Sequence, residues 1–592
     1  MKTTTSILMK FRRWRLRHLS ERNFVILLSG VVGIGAGLAA VVIKNIVWAI
    51  QDLVELIPKE DVYNIIYFFL PAIGIGVTFL LIKYIIRKKV RHGISNVLYS
   101  ISQKRGKMSF HNLYSSLITS SLTVGFGGSL GLEGPTVATG SSLASYISRL
   151  TGLDYRHITL LMTCGAAATL AAIFKAPIAA IVFAVEVILI DLTTFSLIPL
   201  LFASVLGFLT SWFFLGGDVL YPFEVVTTFD LGDLPFYILL GILCGLVSAY
   251  FSWTYRFIHR HMERIGKRGV RFLMGSTGLG ILIFLFPSLY GEGYESINAC
   301  LAGESGYLFN SSIFVGLDEY FWVGALLLLL VVLFKVAAAS LSLTAGGIGG
   351  IFAPALFMGV HIGSLFASIV RYTGIRDLNP NNFALIGMAG VLAGVLHAPL
   401  TAIFLIADIS GGYQLFVPLM ITAAFAYLTV KYFVRTSLYH YQLDERKELI
   451  THHHDRSALR MMKVMNLIEK DFQILRPDAS LRNLTEAIAV SRRNIFPVVD
   501  ERGILVGMVR LDDVRHLIFK PDLYDKVTLE DLMILPEITI ACTDNMEEVA
   551  EKFEACDKFN IPILDEGQYV GFVSRANVFS SYREKVKAFS SE

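Results

Sequence analysis

From residue 23 to 434 the apolar residues of this chain do not alternate; they run in long blocks separated by short breaks rich in Gly, Pro and charge. The first two blocks, 23–57 and 62–86, exceed the ~20 residues that a helix needs to cross a bilayer core. Several later blocks are shorter and interrupted. At membrane depth, backbone leaves the helical state only where protein or a water-filled cavity surrounds it, so such breaks point to a buried site. From residue 455 onward, charged and apolar residues mix as in a soluble domain, which predicts a second region in a different solvent.

The breaks occur twice in matching form. Residues 171–186 (AAIFKAPIAAIVFAVE) align without a gap on 393–408 (AGVLHAPLTAIFLIAD), sharing the Ala-Pro break and a terminal carboxylate. Just upstream, 127–135 (GGSLGLEGP) aligns on 346–354 (GGIGGIFAP), setting Glu133 opposite Phe352. The membrane region is therefore a duplication, although sequence does not give the handedness of the repeat. The tail is doubled too: 496–514 matches 561–578, each copy reading as a Pro-containing strand, an acidic turn, a Gly-bearing strand and a helix start. Helical patterns at 481–491 and 546–557 precede the two copies.

The composition agrees with a bilayer protein, at 54% hydrophobic and 17% charged residues over 592 positions. The net charge of +4 matters less than its distribution. Basic clusters at 12–17, 87–91, 256–271 and at Lys431 with Arg435 alternate with acidic loops at Glu60 and Asp61 and at 218–233, which places both termini in the cytoplasm. Residues 1–17 are basic but lack the apolar core and cleavage site of a removable signal, and read as a cytoplasmic amphipathic lead-in. The five cysteines have no paired spacing, so neither a disulfide framework nor a metal site is expected. Consecutive His452, His453 and His454 cannot all face one ion and read as solvated linker. No phosphate-binding loop, Ser/His/Asp ordering or dinucleotide fingerprint appears, so no enzyme chemistry or nucleic-acid partner is expected.

Candidate chemistry concentrates at 131–136. Pro135 suits the first turn of a small-residue helix over 136–148, and the neighbouring glycines leave backbone N–H groups open to a ligand. A helix start attracts anions through its dipole and unpaired donors, and 349–354 repeats the arrangement. Glu133 at such a start is a tethered anion that competes with a permeant one until protonated, or else a helix cap in an exposed loop.

In family order, Gly-Leu-Glu-Gly-Pro at 131–135, Gly-Gly-Ile-Phe-Ala-Pro at 349–354, Gly-Gly-Tyr-Gln-Leu at 411–415 and Ser-Leu-Tyr at 437–439 resemble the signature segments of the CLC chloride channel and transporter family. The tail resembles a CBS pair. The resemblance implies an all-α polytopic membrane protein of two inverted repeats with a cytoplasmic α/β tandem CBS module, acting as a homodimer with one anion pathway per subunit. The expected boundaries are a lead-in at 1–22, a membrane domain at 23–450 with repeats at about 23–214 and 232–434, a linker at 451–460, and CBS copies at 461–522 and 523–592. By position, Glu133 resembles the external gating glutamate. Gly134, the amides of Ile351 and Phe352, and the hydroxyl of Tyr439 resemble the family's anion-binding groups. Chloride is the expected ligand, no cofactor is required, and a plasma or bacterial inner membrane is the expected location.

Two departures bear on mechanism. At 91–95 the family's Gly-Ser-Gly-Ile-Pro reads Arg-His-Gly-Ile-Ser, so His92 stands where a serine coordinates the anion; it either donates to the anion or faces the vestibule. The inner glutamate that relays protons in the family's exchangers corresponds to Val187, and the adjacent Glu186 points about 100° away around a helix. Passive chloride conduction is the leading expectation and proton-coupled antiport the alternative. A membrane-anchored CBS nucleotide sensor is the reading from another class. For adenine nucleotide, the tail offers Asp513 in one copy and Ser574 with Asn577 in the other, each half of the usual pair.

Overall fold

The apolar blocks fold as helices, because in a bilayer an isolated segment satisfies its backbone only by bonding within itself. The computed structural model describes residues 15, 17–56, 63–88, 90, 93–104, 106–188, 194–217, 229–304, 306–309, 314, 320–410, 413–445, 462–556 and 558–590. The chain divides into two compact units, Met1–Leu449 and Ile450–Glu592. The first carries α1 (Glu21–Glu55), α2 (Tyr63–Leu81), α3 (Gly93–Lys104), α4 (Asn112–Gly125), α5 (Glu133–Thr151), α6 (Tyr155–Phe174), α7 (Pro177–Glu186), α8 (Thr194–Leu215) and α9 (Leu234–Arg264). It continues through α10 (Arg268–Leu285), α11 (Tyr294–Leu301), α12 (Phe321–Thr344), α13 (Phe352–Tyr372), α14 (Pro380–Leu396), α15 (Pro399–Ile409), α16 (Phe416–Phe433) and α17 (Leu438–Glu445). Among the described residues nine helical stretches are long and apolar enough to cross a membrane, whereas α7, α14 and α15 are apolar but shorter.

Over its most apolar stretch α6 is 89% buried and α13 78%, against 28% for α10, so protein wraps the first two while most of α10 is left uncovered by its own chain. Close packing at the centre rests on small residues, as is usual where lipid is as apolar as leucine. A Cβ at Gly140 of α5 would lie 2.5 Å from the Gly165 carbonyl oxygen of α6, and one at Gly359 of α13 2.6 Å from the Gly387 carbonyl oxygen of α14. Extending the two sequence alignments carries Gly140 onto Gly359 and Gly165 onto Gly387, so both repeats use the same helix contact.

The Ala-Pro breaks also fold alike. Lys175 and His397 end α6 and α14 in the left-handed region, with φ of 56° and 57°. Ala176 and Ala398 then leave the helical region, with φ of −124° and −134°, because a following proline disfavours that region, and Pro177 and Pro399 open α7 and α15. The two short helices cap each other. The Glu186 carboxylate accepts from the Thr401 amide and hydroxyl, both at 2.7 Å, and from the Leu400 amide at 3.2 Å. Asp408 Oδ2 accepts from the Ala179 amide at 3.3 Å. Each short helix thus carries near its end a carboxylate that satisfies early N–H groups of the other repeat's short helix.

The second unit holds α18 (Leu481–Val490), β1 (Ile495–Val499), β2 (Leu505–Arg510), α19 (Leu511–Ile518), α20 (Leu529–Leu532), β3 (Ile540–Ala541), α21 (Met546–Ala555), β4 (Asn560–Asp565), β5 (Gln568–Ser574) and α22 (Arg575–Ser590). β1 pairs antiparallel with β2, and β4 lies between parallel β3 and antiparallel β5. The two copies exchange flanking segments across the expected boundary at 522/523. Leu529 packs with Phe496 and Val509 of the first copy, whereas Met462, Val464 and Leu467 pack with Ile561 and Val573 of the second. A bridge between Glu469 and Phe572 ties that leading segment to β5. Sequence similarity marks the repeated strands but not which copy a flanking segment joins.

Candidate functional site

The two Gly-rich segments meet each other before either helix begins. The Gly131 amide donates to the Gly350 carbonyl at 2.9 Å, and the Gly350 amide to the Gly131 carbonyl at 2.7 Å. Behind them, the Ser129 amide donates to Ser342 Oγ at 3.1 Å and the Ile348 amide to Thr123 Oγ1 at 3.2 Å. The alignment equates Ser129 with Ile348 and, extended upstream, Thr123 with Ser342. Every bond is matched when the repeats are exchanged, which is the signature of a two-fold relation between them.

That pairing brings the starts of α5 and α13 together, and α3 joins them. A Cβ on Gly134 would lie 3.5 Å from Gly350 Cα and 3.8 Å from Gly93 Cα, and one on Gly93 would collide with the Gly134 backbone at 2.4 Å. Three helix N-termini thus converge through three glycines, each bringing the positive end of its dipole. No full cationic charge is needed to attract an anion here.

A cavity of about 30 Å³ lies at this junction, lined by Gly93, Gly134, Tyr255, Gly350, Ile351 and Tyr439 among others. One water needs only ~10–15 Å³ by this measure, so a small ion or water fits. The hydroxyl of Tyr439 is buried and has no hydrogen-bond partner among the described residues. Its backbone carbonyl accepts from the Ser95 hydroxyl at 3.1 Å, which ties α17 to α3.

Glu133 is completely buried and is the first residue of α5, which begins there rather than at 136. The reading of Glu133 as a cap in an exposed loop is therefore incorrect: the Thr136 hydroxyl donates to the Leu132 carbonyl at 2.7 Å instead. Glu133 Oε1 accepts from the Tyr294 hydroxyl at 2.8 Å. Oε2 makes no well-formed hydrogen bond, although the amides of Glu133 and Ala353 face the carboxylate. Oε2 sits 2.0 Å from where a Cβ on Gly131 would be. The carboxylate thus occupies the space between the two Gly-rich segments.

Of the other expected residues, Gly134, Ile351 and Tyr439 line the cavity, while Phe352 turns its ring away against Phe174 at 5.1 Å and leaves its amide at the start of α13. Val187 is buried in the core just after α7. His92, Arg91, Gly411, Gly412, residues 1–14 and the 451–460 linker lie outside the described residues. In the tail, Asp513 pairs with Arg510 at 2.9 Å. The Ser574 hydroxyl donates to Glu469 at 2.5 Å and accepts from the Asn577 amide at 3.1 Å.

Sequence reasoning missed Tyr294, Glu292, Lys44 and Lys335. Glu292 accepts from the Leu132 amide at 3.2 Å, Lys44 donates to the Ile173 carbonyl at 2.9 Å, and Lys335 is fully buried in α12. A signal existed for the lysines, because each is the one charge in the apolar middle of a long helix, where an ionisable side chain is a functional candidate by default. Tyr294 carries no such mark.

The voltage gated chloride channel family model matches residues 74–431, and the CBS domain model matches 464–520 and 529–584. A ClcB-like chloride channel protein of Ralstonia nicotianae is 27% identical over 373 residues, covering 61% of this chain and 81% of that one. The chloride channel protein CLC-f of Arabidopsis thaliana is 26% identical over 488 residues, and the match spans 72% of this chain but only 60% of the plant protein. Among solved structures, a slow cyanobacterial Cl−/H+ antiporter superposes with a TM-score of 0.62 at 22% identity, covering 73% of this chain and 99% of that one. A eukaryotic CLC transporter does so with a TM-score of 0.59 at 18% identity, covering 94% and 99%. A CLC-type fluoride/proton antiporter gives 0.56 at 24% identity, covering 70% and 97%. A family match over most of the membrane unit, at a junction of paired Gly-rich helix starts, shows that the chain belongs to the voltage gated chloride channel family of anion-transport membrane proteins and carries a tandem CBS tail.

Proposed function

We propose that this protein conducts chloride passively across a membrane, with Glu133 as the gate of each pathway. The carrying observation is the inner end of α7. Val187, at the position where exchangers of the family hold a proton-relaying glutamate, is buried in the core, and the neighbouring Glu186 spends its carboxylate on Thr401 and Leu400. Neither side chain is placed to carry a proton inward. At the other end Glu133 fills the space between the two Gly-rich segments, as a tethered anion does when it excludes a permeant one.

Proton-coupled exchange is the second reading, favoured by the protonatable, buried Glu133 and by the likeness to two antiporters. Recording chloride and proton flux together in proteoliposomes separates the two. Passive conduction predicts no proton movement under a chloride gradient; uphill proton pumping refutes it.

The same reading makes the protein a homodimer with both termini cytoplasmic, in a plasma or bacterial inner membrane, and the CBS pair a regulatory tail. An adenine nucleotide at Asp513, Ser574 or Asn577 has to displace the partners those groups already hold within the tail. A mere membrane anchor has no use for a buried carboxylate beside a cavity lined by an unpartnered hydroxyl, which argues against the sensor reading.

A further inference from the structure

We infer that Tyr294 is a latch on the Glu133 gate, a positioning residue whose hydroxyl holds the carboxylate in its blocking position and so sets the pH at which the pathway opens. The inference rests on Glu133 being the gate. Tyr294 starts α11, and its hydroxyl donates to Glu133 Oε1 at 2.8 Å. With Oε2 lacking a well-formed hydrogen bond, this is the one side-chain bond to the carboxylate among the described residues.

The turn that carries the latch is pinned from three directions. Fully buried Lys335 of α12 donates to the carbonyls of Leu289 and Gly291, at 3.5 and 3.2 Å, and lies 4.5 Å from the Phe357 ring centroid. The Gly291 amide donates to the Gly127 carbonyl at 3.2 Å, at the head of the first repeat's Gly-rich segment. Glu292 accepts from the Leu132 amide, the residue just before the gate. Gly291 and Gly293 adopt φ of 59° and 87°, and a Cβ on Gly293 would press on Phe357 at 2.6 Å, so the turn is close-fitted as well as bonded. An ammonium inside an apolar helix is costly; here it anchors the segment that positions Tyr294.

The charged and titratable groups around the gate are Tyr294 of α11, Glu292 of the turn with Lys335 of α12 behind it, Lys44 of α1 and Tyr439 of α17. Of these, Tyr294 alone bonds the gate carboxylate. A hydroxyl donating to a carboxylate stabilises the charged, blocking form and gives less to the protonated one. Removing it makes Glu133 easier to protonate, so the gate opens at higher pH.

The test is chloride efflux from proteoliposomes holding the full chain, with pH varied equally on both sides, for wild type, Glu133→Gln, Tyr294→Phe and the double variant. The latch predicts that Tyr294→Phe moves the pH of half-maximal flux toward alkaline by about one to two units. It also predicts that the double variant matches Glu133→Gln. An unmoved midpoint in Tyr294→Phe, with pH dependence abolished in Glu133→Gln, overturns the latch and leaves the gate standing. Wild-type pH dependence in Glu133→Gln overturns the gate itself. Should Tyr294→Phe yield no folded protein, 3-fluorotyrosine placed at 294 keeps the shape and donates more strongly. The midpoint must then move toward acid, and no movement overturns the inference.

Discussion

Gly131→Ala is the most direct perturbation of the blocking carboxylate. A Cβ there would lie 2.0 Å from Glu133 Oε2 and 2.9 Å from both Glu133 Cδ and Ala353 Cβ. Ordinary non-bonded contact begins near ~3.5 Å, so the carboxylate has to retreat by more than about 1 Å. Ala353 is held by its helix, whereas the Glu133 carboxylate is the end of a flexible side chain and moves first. That retreat breaks the 2.8 Å bond from Tyr294, and a hydrogen bond to a charged acceptor contributes about 1.5–3 kcal/mol. The blocking position is then disfavoured by about 10- to 150-fold relative to wild type. In proteoliposomes, Gly131→Ala should carry chloride at neutral pH at a rate near the wild-type rate in acid, with a flattened pH profile. Gly131→Ala protein that keeps the wild-type midpoint and amplitude would refute the placement of the carboxylate between the segments.

Glu186→Ala removes three accepted hydrogen bonds from the start of α15 and should destabilise the membrane unit by about 2–4 kcal/mol. Glu186→Gln, which keeps an acceptor oxygen, should lose less; equal unfolding midpoints for Glu186→Ala and wild type in detergent would contradict the reciprocal cap. In the tail, the Arg493 guanidinium holds the Asp471 carboxyl below its usual range, and Arg482 does the same for Asp525. Their contribution is therefore present above the unfolded carboxylate range near ~4 and is lost as pH falls through the lower folded values. Hydrogen exchange in the peptides around 471 and 525 should quicken at such acid pH, and Arg493→Ala should already show the quickening around 471 at neutral pH.

Much of the membrane unit was legible because its rules are local. The Lys-Ala-Pro and His-Ala-Pro breaks at 175–177 and 397–399 became matching backbone turns, since proline keeps the residue before it out of the helical region and suits a helix start. The duplication was legible for the same reason: two copies of one pattern fold twice. The cut between the CBS copies was less so. Strands repeat visibly, but Met462, Val464 and Leu467 join the second core from the far side of the first copy, a choice that depends on which apolar face is left open.

The Ala-Pro breaks, the correspondence of the two halves and the position of Glu133 beside a helix start are thus written in the sequence, because each follows from neighbouring residues. Packing settled that the repeats exchange hydrogen bonds as a two-fold pair, that Gly93, Gly134 and Gly350 gather three helix starts at one cavity, and that Glu133 is buried among them. Backbone preferences act over a few residues, whereas Tyr294 reaches Glu133 across 161 positions, and no local rule encodes a contact that packing alone creates.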